Sequence, residues 1–248
     1  MSLILEASHI SKSFRTDFYK KPVKVLNDMS FQIHKGEFVG LIGPNGAGKT
    51  TTIKCLLNFI FPDSGKITFE NNLDQLSWKK KLGYLPERPY FQEFLTGLEF
   101  LELHWNLAEQ KKTDFTQRAD EVLKMVNLEH AKNKKLKDYS KGMLQRIGIA
   151  QAIIAHPSFL ILDEPMSGLD PDGRILIKDI LKKLKQNQLS VLMSSHLLED
   201  IEELCEKIII IHAGEILFSG FITDFKKNYK NLEEAYRAFK KDLIGNQS

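Results

Sequence analysis

The stretch Gly43-Pro44-Asn45-Gly46-Ala47-Gly48-Lys49-Thr50 constrains this chain more than any other part of it. It has the spacing G-x-x-x-x-G-K-[ST]. It stands between a short apolar strand pattern, Glu37 to Ile42, and a helical pattern from Lys49 to about Asn58. Glycines allow the backbone to curl until several N–H groups point at one anion, and the helix that follows adds the positive end of its dipole. Lys49 supplies a mobile charge for β- and γ-phosphates, Thr50 a hydroxyl for Mg²⁺, and Thr51 a second hydroxyl for phosphate. A strand, this loop and a helix in succession predict an α/β fold built on a parallel sheet. By itself the loop establishes binding of a nucleotide's phosphates and nothing further.

A second apolar strand pattern, Phe159-Leu160-Ile161-Leu162, ends on the paired acids Asp163-Glu164. A buried strand closing on two carboxylates needs a cation or a proton to work on. Parallel sheets gather their strand ends on one edge, which brings this pair toward the phosphate loop. Asp163 is placed to hold Mg²⁺ directly or through water, and Glu164 to accept a proton from an attacking water.

The rest of the chain arranges itself around these two points. Leu3 to Ile10 and Val23 to Ile33 read as half-buried strands of an antiparallel edge, with Arg15 to Pro22 a loop between them. Phe61-Pro62-Asp63-Ser64-Gly65 is a turn before a strand at Lys66 to Phe69. From Pro89 to Ala155 the apolar spacing becomes helical: Leu98, Leu101, Leu103 and Leu107, then Phe115, Ala119, Val122, Leu123 and Val126. Lys132 to Lys137 reads as a solvated basic loop. The α/β pattern returns with a helix from Pro171 to about Lys185, a strand at Ser190 to Met193 and a helix from Leu197 to Cys205. Strands near Lys207 to Ile211 and Glu215 to Phe218 follow, then a charged tail with a short helix around Leu232 to Phe239.

Composition removes other classes. The 248 residues carry 35 basic and 32 acidic side chains, a net charge of +3, which gives no case for a nucleic-acid partner. Cys55 and Cys205 have no metal or redox spacing and read as small buried hydrophobes in a reduced compartment. No apolar run approaches the roughly 18 residues that span a bilayer, and the amino terminus turns acidic too early for a signal peptide. Work at a membrane would therefore need another chain.

Four further segments stand in a known order with the first two, and together the six resemble the ATP-binding subunits of ABC transporters over nearly the whole chain. Gly83-Tyr84-Leu85-Pro86-Glu87 sits where the family has its Q-loop, with Glu87 in place of the usual glutamine. Tyr139-Ser140-Lys141-Gly142-Met143-Leu144-Gln145-Arg146 resembles the signature LSGGQ: Ser140 and Gly142 match, while Tyr139, Lys141 and Met143 depart from it. Ser167-Gly168-Leu169-Asp170 looks like the D-loop, and Ser194-Ser195-His196 ends on the switch histidine. Alone, a serine before a helix is an ordinary N-cap and a histidine at a strand end an ordinary polar residue; position after the two acids turns His196 into a candidate.

The resemblance implies a P-loop NTPase core with a parallel sheet, an antiparallel β edge subdomain and an inserted α-helical subdomain. Residues 1–88 and 156–220 would form the ATP-binding core, 89–155 the helical signature subdomain and 221–248 a tail with a short helix. It implies ATP and Mg²⁺ as cofactors, ATP hydrolysis with Glu164, His196 and Glu87 in catalytic roles, and Thr50, Asp163 and Glu87 at the metal. Gly43, Pro44, Asn45, Gly46, Ala47, Gly48, Lys49, Thr50 and Thr51 would hold the phosphates. Ser140 and Gly142 would meet the γ-phosphate bound on a second ATP-binding subunit, in a homo- or heterodimer. Adenine would stack on an aromatic near the amino terminus: Phe14 in Ser11-Lys12-Ser13-Phe14 is the choice, with Phe18 and Tyr19 as alternatives. The partner would be an integral membrane permease subunit, met at the cytoplasmic face through the helical subdomain, the Glu87 loop and the aromatics Tyr90, Phe91 and Phe94. The wording of the motifs is most similar to bacterial ABC-2-type exporters. Two rivals are a soluble ABC-type ATPase, which would carry long coiled coils or a second such domain, and a non-hydrolysing regulatory module, against which Lys49, Asp163, Glu164 and His196 argue. A GTPase is disfavoured because Asn133-Lys134-Lys135-Leu136 is not the guanine-reading N-K-x-D.

Overall fold

The computed structural model describes residues 2–15, 19, 21–70 and 75–245. In chain order the elements are β1 (Leu3–Phe14), β2 (Val23–His34), β3 (Phe38–Ile42), α1 (Lys49–Leu56), β4 (Ser64–Phe69), α2 (Gln75–Lys79), β5 (Leu82–Leu85), α3 (Gly97–Leu107) and α4 (Phe115–Met125). Then come α5 (Lys141–Ile153), β6 (Phe159–Asp163), α6 (Pro171–Gln186), β7 (Ser190–Ser194), α7 (Leu198–Leu204), β8 (Lys207–His212), β9 (Glu215–Phe221), α8 (Ile222–Lys226) and α9 (Leu232–Gly245). The chain folds into two compact units, residues 1–72 with 192–248, and residues 73–191.

In the first unit β1 pairs antiparallel with β2 and with β4. Alternation decides this sheet's faces: Met29, Phe31 and Ile33 point inward while Ser30 and Gln32 face water. β3 and β8 pair in parallel, Val39 with Lys207 through Ile42 with Ile210, and β9 runs antiparallel beside β8. All five residues of β3 and the four isoleucines of β8 are buried, the continuous apolar run of a strand covered on both faces. A partly buried ion pair ties the start of β3 to β8: the Lys207 ammonium donates to Glu37 Oε1 at 2.5 Å, and the His34 amide donates to Glu37 Oε2 at 2.9 Å. The tail docks on the same unit, with Phe225 against Phe218 and Phe239 and the Leu232 amide donating to Glu202 on α7.

In the second unit β5 pairs in parallel with β6, Leu82 with Phe159 through Leu85 with Leu162. Both strands therefore end on the same edge, which places the Glu87 loop beside Asp163 and Glu164. α3 starts at a capping box in which Thr96 and Glu99 satisfy one another's amides. α4 buries Ala119, Val122 and Leu123 at helical spacing. α5 is the central helix: Ile147, Ile149, Ala150 and Ile153 are buried, and its Ala152 carbonyl sits so close to Gly83 that a Cβ there would lie 2.1 Å from it. Arginines close the helix ends. Arg118 donates to the Ile153 and Ile154 carbonyls at the end of α5, and Arg146 to the Val126 and Asn127 carbonyls at the end of α4.

Several elements exceed the expectation. β1 continues to Phe14 because its ladder with β2 continues to Val23, so Phe14 lies on a strand. α9 runs to Gly245 instead of stopping near Phe239. β5 has no counterpart among the strands expected from sequence; four residues are too few to show alternation, and pairing with β6 makes the strand. The basic run Lys132 to Lys137 is indeed exposed at Asn133, Lys134, Lys135 and Lys137, but Leu136 is buried and pins it. No helix among the described residues is long and apolar enough to cross a membrane. Both cysteines are buried and neither is in a disulfide.

Candidate active site

The phosphate loop leaves β3 and enters α1. Ala47 donates to the Pro44 carbonyl at 3.1 Å, closing the turn, and the loop is anchored where Gly214 donates to the Ala47 carbonyl at 3.0 Å. Gly48 is the N-cap of α1 at φ 113°, a left-handed conformation that L side chains rarely adopt. Gly43 is needed for closeness: a Cβ there would stand 2.2 Å from the Ile211 carbonyl oxygen at the end of β8. Lys49 is buried beneath the loop and donates to the Gly43 carbonyl at 2.7 Å and the Pro44 carbonyl at 3.3 Å. Thr50 is exposed at the mouth and Thr51 half-buried, while Thr52 is turned inward and donates to the Gly48 carbonyl at 3.0 Å.

These features fit a nucleotide's phosphates. The first turn of α1 has no side-chain cap and no acidic residue, so its N–H groups keep their positive potential for an external anion. Thr50 presents a hard oxygen ligand there, as magnesium bound between protein and phosphate requires.

In the other unit Asp163 closes β6, buried at 4% exposure. The Tyr84 hydroxyl on neighbouring β5 is pushed up to about 12, first by burial and then by the Asp163 carboxylate. A carboxyl group buried at a strand end is suited to holding a cation. Glu164 follows at φ 51°, an uncommon conformation for a non-glycine residue. The Ser167 amide donates to the Glu164 carbonyl at 3.0 Å and closes a turn directly after the strand. Glu87 is exposed two residues beyond β5.

The signature segment leads into α5. Ser140 accepts from the Met143 amide at 3.3 Å, so it serves as the N-cap. Tyr139, which replaces the usual leucine, is a packing residue: it is buried, its hydroxyl donates to the Ala131 carbonyl at 2.8 Å, and Gly97 makes room for it, since a Cβ at Gly97 would lie 2.3 Å from that hydroxyl. Gly142 is different. Its φ is ordinary and nothing stands within 4 Å of where its Cβ would be. His196 follows β7 and is exposed, and the Leu197 amide donates to Ser195 Oγ.

Phe14 is 38% exposed and the Lys12 ammonium lies 5.6 Å from its ring centroid. Tyr19 is exposed at 96%, and Phe18 lies outside the described residues. Of the proposed contact aromatics, Tyr90 and Phe94 are exposed, whereas Phe91 is half-buried against Phe100 with centroids 5.5 Å apart.

The profile of the ABC transporter family matches residues 26–167, which include the phosphate loop, the signature and the acidic pair. The chain belongs to that family. It is 39% identical over 246 residues to an uncharacterized ABC transporter ATP-binding protein of Synechocystis, covering 98% of this chain and 70% of that one. It is 31% identical over 221 residues to the ABC transporter ATP-binding protein NatA of Bacillus subtilis, covering 88% and 90%. Among solved structures it superposes on an ATP-binding subunit of an ABC transporter with a TM-score of 0.84 at 29% identity, over 96% of this chain and 99% of that one. A dimeric ATP-binding cassette in a post-hydrolysis state with ADP and Pi matches with a TM-score of 0.78 at 26% identity, over 88% and 99%. This ABC cassette is an ATP-binding subunit of an ABC transporter and an ATP hydrolase.

Sequence reading of the cassette missed one set of contacts. Gln145, buried at 6% exposure, donates Nε2 to the Pro165 carbonyl at 2.7 Å, and Lys141 reaches Gly168. The i, i+4 spacing of Lys141 and Gln145 on α5 is the only sequence signal for a shared face, and it does not say what that face touches.

Proposed function

We propose that this subunit powers an ABC-2-type exporter by closing on ATP with a second cassette and passing that motion to a separate integral membrane subunit at the cytoplasmic face. The observation that carries the reading is Gly142. Among the described residues nothing lies where a side chain at Gly142 would go, yet the glycine stands at a capped helix start beside the exposed Ser140. A glycine with free space around it suits close approach by a group from outside the chain, and the γ-phosphate on a second cassette is the group the family places there. The dimeric cassette among the solved relatives supports the same arrangement.

In this reading Lys49 and the amides of Gly43 to Thr51 hold the phosphates, and Thr50 and Asp163 ligate magnesium, with Glu87 reaching it directly or through water. Magnesium, when bound, would neutralise charge that develops on the phosphates. Glu164 accepts the proton of the attacking water, His196 orients that water at the γ-phosphate, and Phe14 stacks on adenine. Tyr90 and Phe94 offer apolar surface to the membrane subunit. Two measurements test the whole: co-purification in mild detergent from native membranes, which should yield an integral membrane protein in fixed ratio, and sizing of the Glu164→Gln variant with ATP, which should give a dimer. Recovery of a lone cassette in the first, together with a monomer in the second, would remove both coupling and dimerisation.

A further inference from the structure

The departure of the signature from its usual wording has a structural counterpart. Lys141 is the first residue of α5, just after the cap Ser140. Gly168 sits in the loop that follows the acidic strand end, at φ 65°. A Cβ on Gly168 would fall 2.0 Å from Lys141 Nζ and 3.3 Å from Lys141 Cε. The ammonium therefore lies across the face of Gly168 that a side chain would fill. One turn further along α5, Gln145 holds the Pro165 carbonyl at 2.7 Å. From one helix face, Gln145 thus bonds the start of the loop and the Lys141 ammonium lies against Gly168 further along it, and between them Met166 is buried.

The grip matters because of what the loop carries. Glu164 stands at φ 51°, a sparsely populated conformation that persists only where its surroundings enforce it. The turn from the Ser167 amide to the Glu164 carbonyl is one restraint, and the α5 contacts are the other. A cation at the start of a helix is also electrostatically adverse, and α5 has no acidic residue in its first turn to offset it. Lys141 does not contribute helix stability where it stands.

We propose that Lys141 is a positioning residue for hydrolysis: seated on Gly168, it holds the loop after Glu164 in the course that aims that carboxylate. The proposal rests on the reading of Glu164 as the base. Lys141 acts through the loop and does not itself touch the reacting atoms.

The test is a double-mutant cycle in steady-state ATPase activity with Lys141→Ala, Gly168→Ala and the pair, alongside thermal melts. Alanine at a left-handed position is strained whatever its neighbour, and the cycle cancels that contribution because it is present in both backgrounds. Gly168→Ala should lower kcat about tenfold in the parent and no more than about twofold when Lys141 is already alanine, a coupling of about 1 kcal/mol. Lys141→Ala alone should lower kcat about three- to tenfold with KM for ATP little changed, while the melting temperature holds or rises because an adverse charge has left the helix start. Lys141→Arg should restore most of the loss. If the Gly168 variants fail to fold, amide exchange over residues 165–169 in Lys141→Ala, expected to quicken, decides the matter. Equal losses from Gly168→Ala in both backgrounds, or unchanged exchange, would overturn the proposal. Full activity in Glu164→Gln would instead remove the base assignment while leaving the measured coupling of the loop intact.

Discussion

Gly142→Ala separates stability from activity. In the chain alone the added methyl meets nothing within 4 Å, and the residue's φ is one any side chain adopts. Replacing a helical glycine by alanine under those conditions lowers the entropy of the unfolded chain and stabilises by about 0.5–1 kcal/mol. Gly142 lies in the first turn of α5, so the lower figure applies, equivalent to a rise of roughly 1–2 °C in melting temperature for a chain of this size. The proposed dimer predicts the opposite sign for activity. A methyl between the signature and a γ-phosphate displaces reacting groups by something like 1 Å, which costs on the order of a hundredfold in turnover. The assay is a melt without nucleotide, followed by steady-state ATPase at protein concentrations spanning dimer formation, and sizing of the same substitution in a Glu164→Gln background with ATP. The expected pattern is a melting temperature equal to or above the parent, kcat down about a hundredfold, and loss of the ATP-bridged dimer. Wild-type turnover in a folded Gly142→Ala protein would refute the reasoning, since the glycine would then serve neither the fold nor a partner.

Three other outcomes follow from the same geometry. Lys49→Ala removes the side-chain cation seated under the phosphate loop, and ATPase activity should fall to background in a protein whose melting temperature without nucleotide stays within a few degrees of the parent; normal activity would displace the site. Glu164→Gln should bind ATP with affinity near the parent's and accumulate a nucleotide-bridged dimer while turnover falls at least about a hundredfold, the range of a lost general base; hydrolysis at the parent rate would move the role to Glu87 or His196. The third concerns stability against pH. Burial pulls the Glu37 carboxyl upward, and the hydrogen bond from Lys207, the His34 amide and the nearby positive charges more than reverse it, leaving it below the usual glutamate value. A lowered folded pKa means stabilisation that is complete above the unfolded value of about 4.3 and is lost as pH falls through the folded value. Glu37→Gln should therefore cost about 2–3 kcal/mol in urea unfolding at pH 7, with the gap to the parent narrowing below pH of about 4. A gap that is absent at pH 7, or unchanged at pH 3, would count against the ion pair.

The chemistry of the site was legible in the sequence because it resides in short contiguous runs. Eight residues specify a phosphate loop since glycine, lysine and threonine at those spacings are the physical parts of the cradle, and an apolar strand ending on Asp163 and Glu164 specifies its own burial. The same locality made β3, β8, α4 and α6 readable from periodicity. What depended on residues far apart in sequence was not readable. β5 became a strand only by pairing with β6. Tyr139 looked like a defect in the signature until Gly97, more than forty positions away, was seen to leave space for its ring. Glu37 gave no signal until Lys207 closed on it across the unit.

Gly168 shows the division most clearly. By sequence it belongs to a segment that resembles the D-loop and by itself is a polar turn, and Lys141 is a departure from the signature whose positive charge is compatible with a nearby phosphate. Sequence alone determined that both residues are present and that Lys141 and Gln145 share a helix face. Only the tertiary structure placed the Lys141 ammonium where the Gly168 side chain would be and Gln145 on the Pro165 carbonyl. Which loop a helix face meets depends on how α5 packs on β5, and that packing is set by the whole core rather than by any local run of residues.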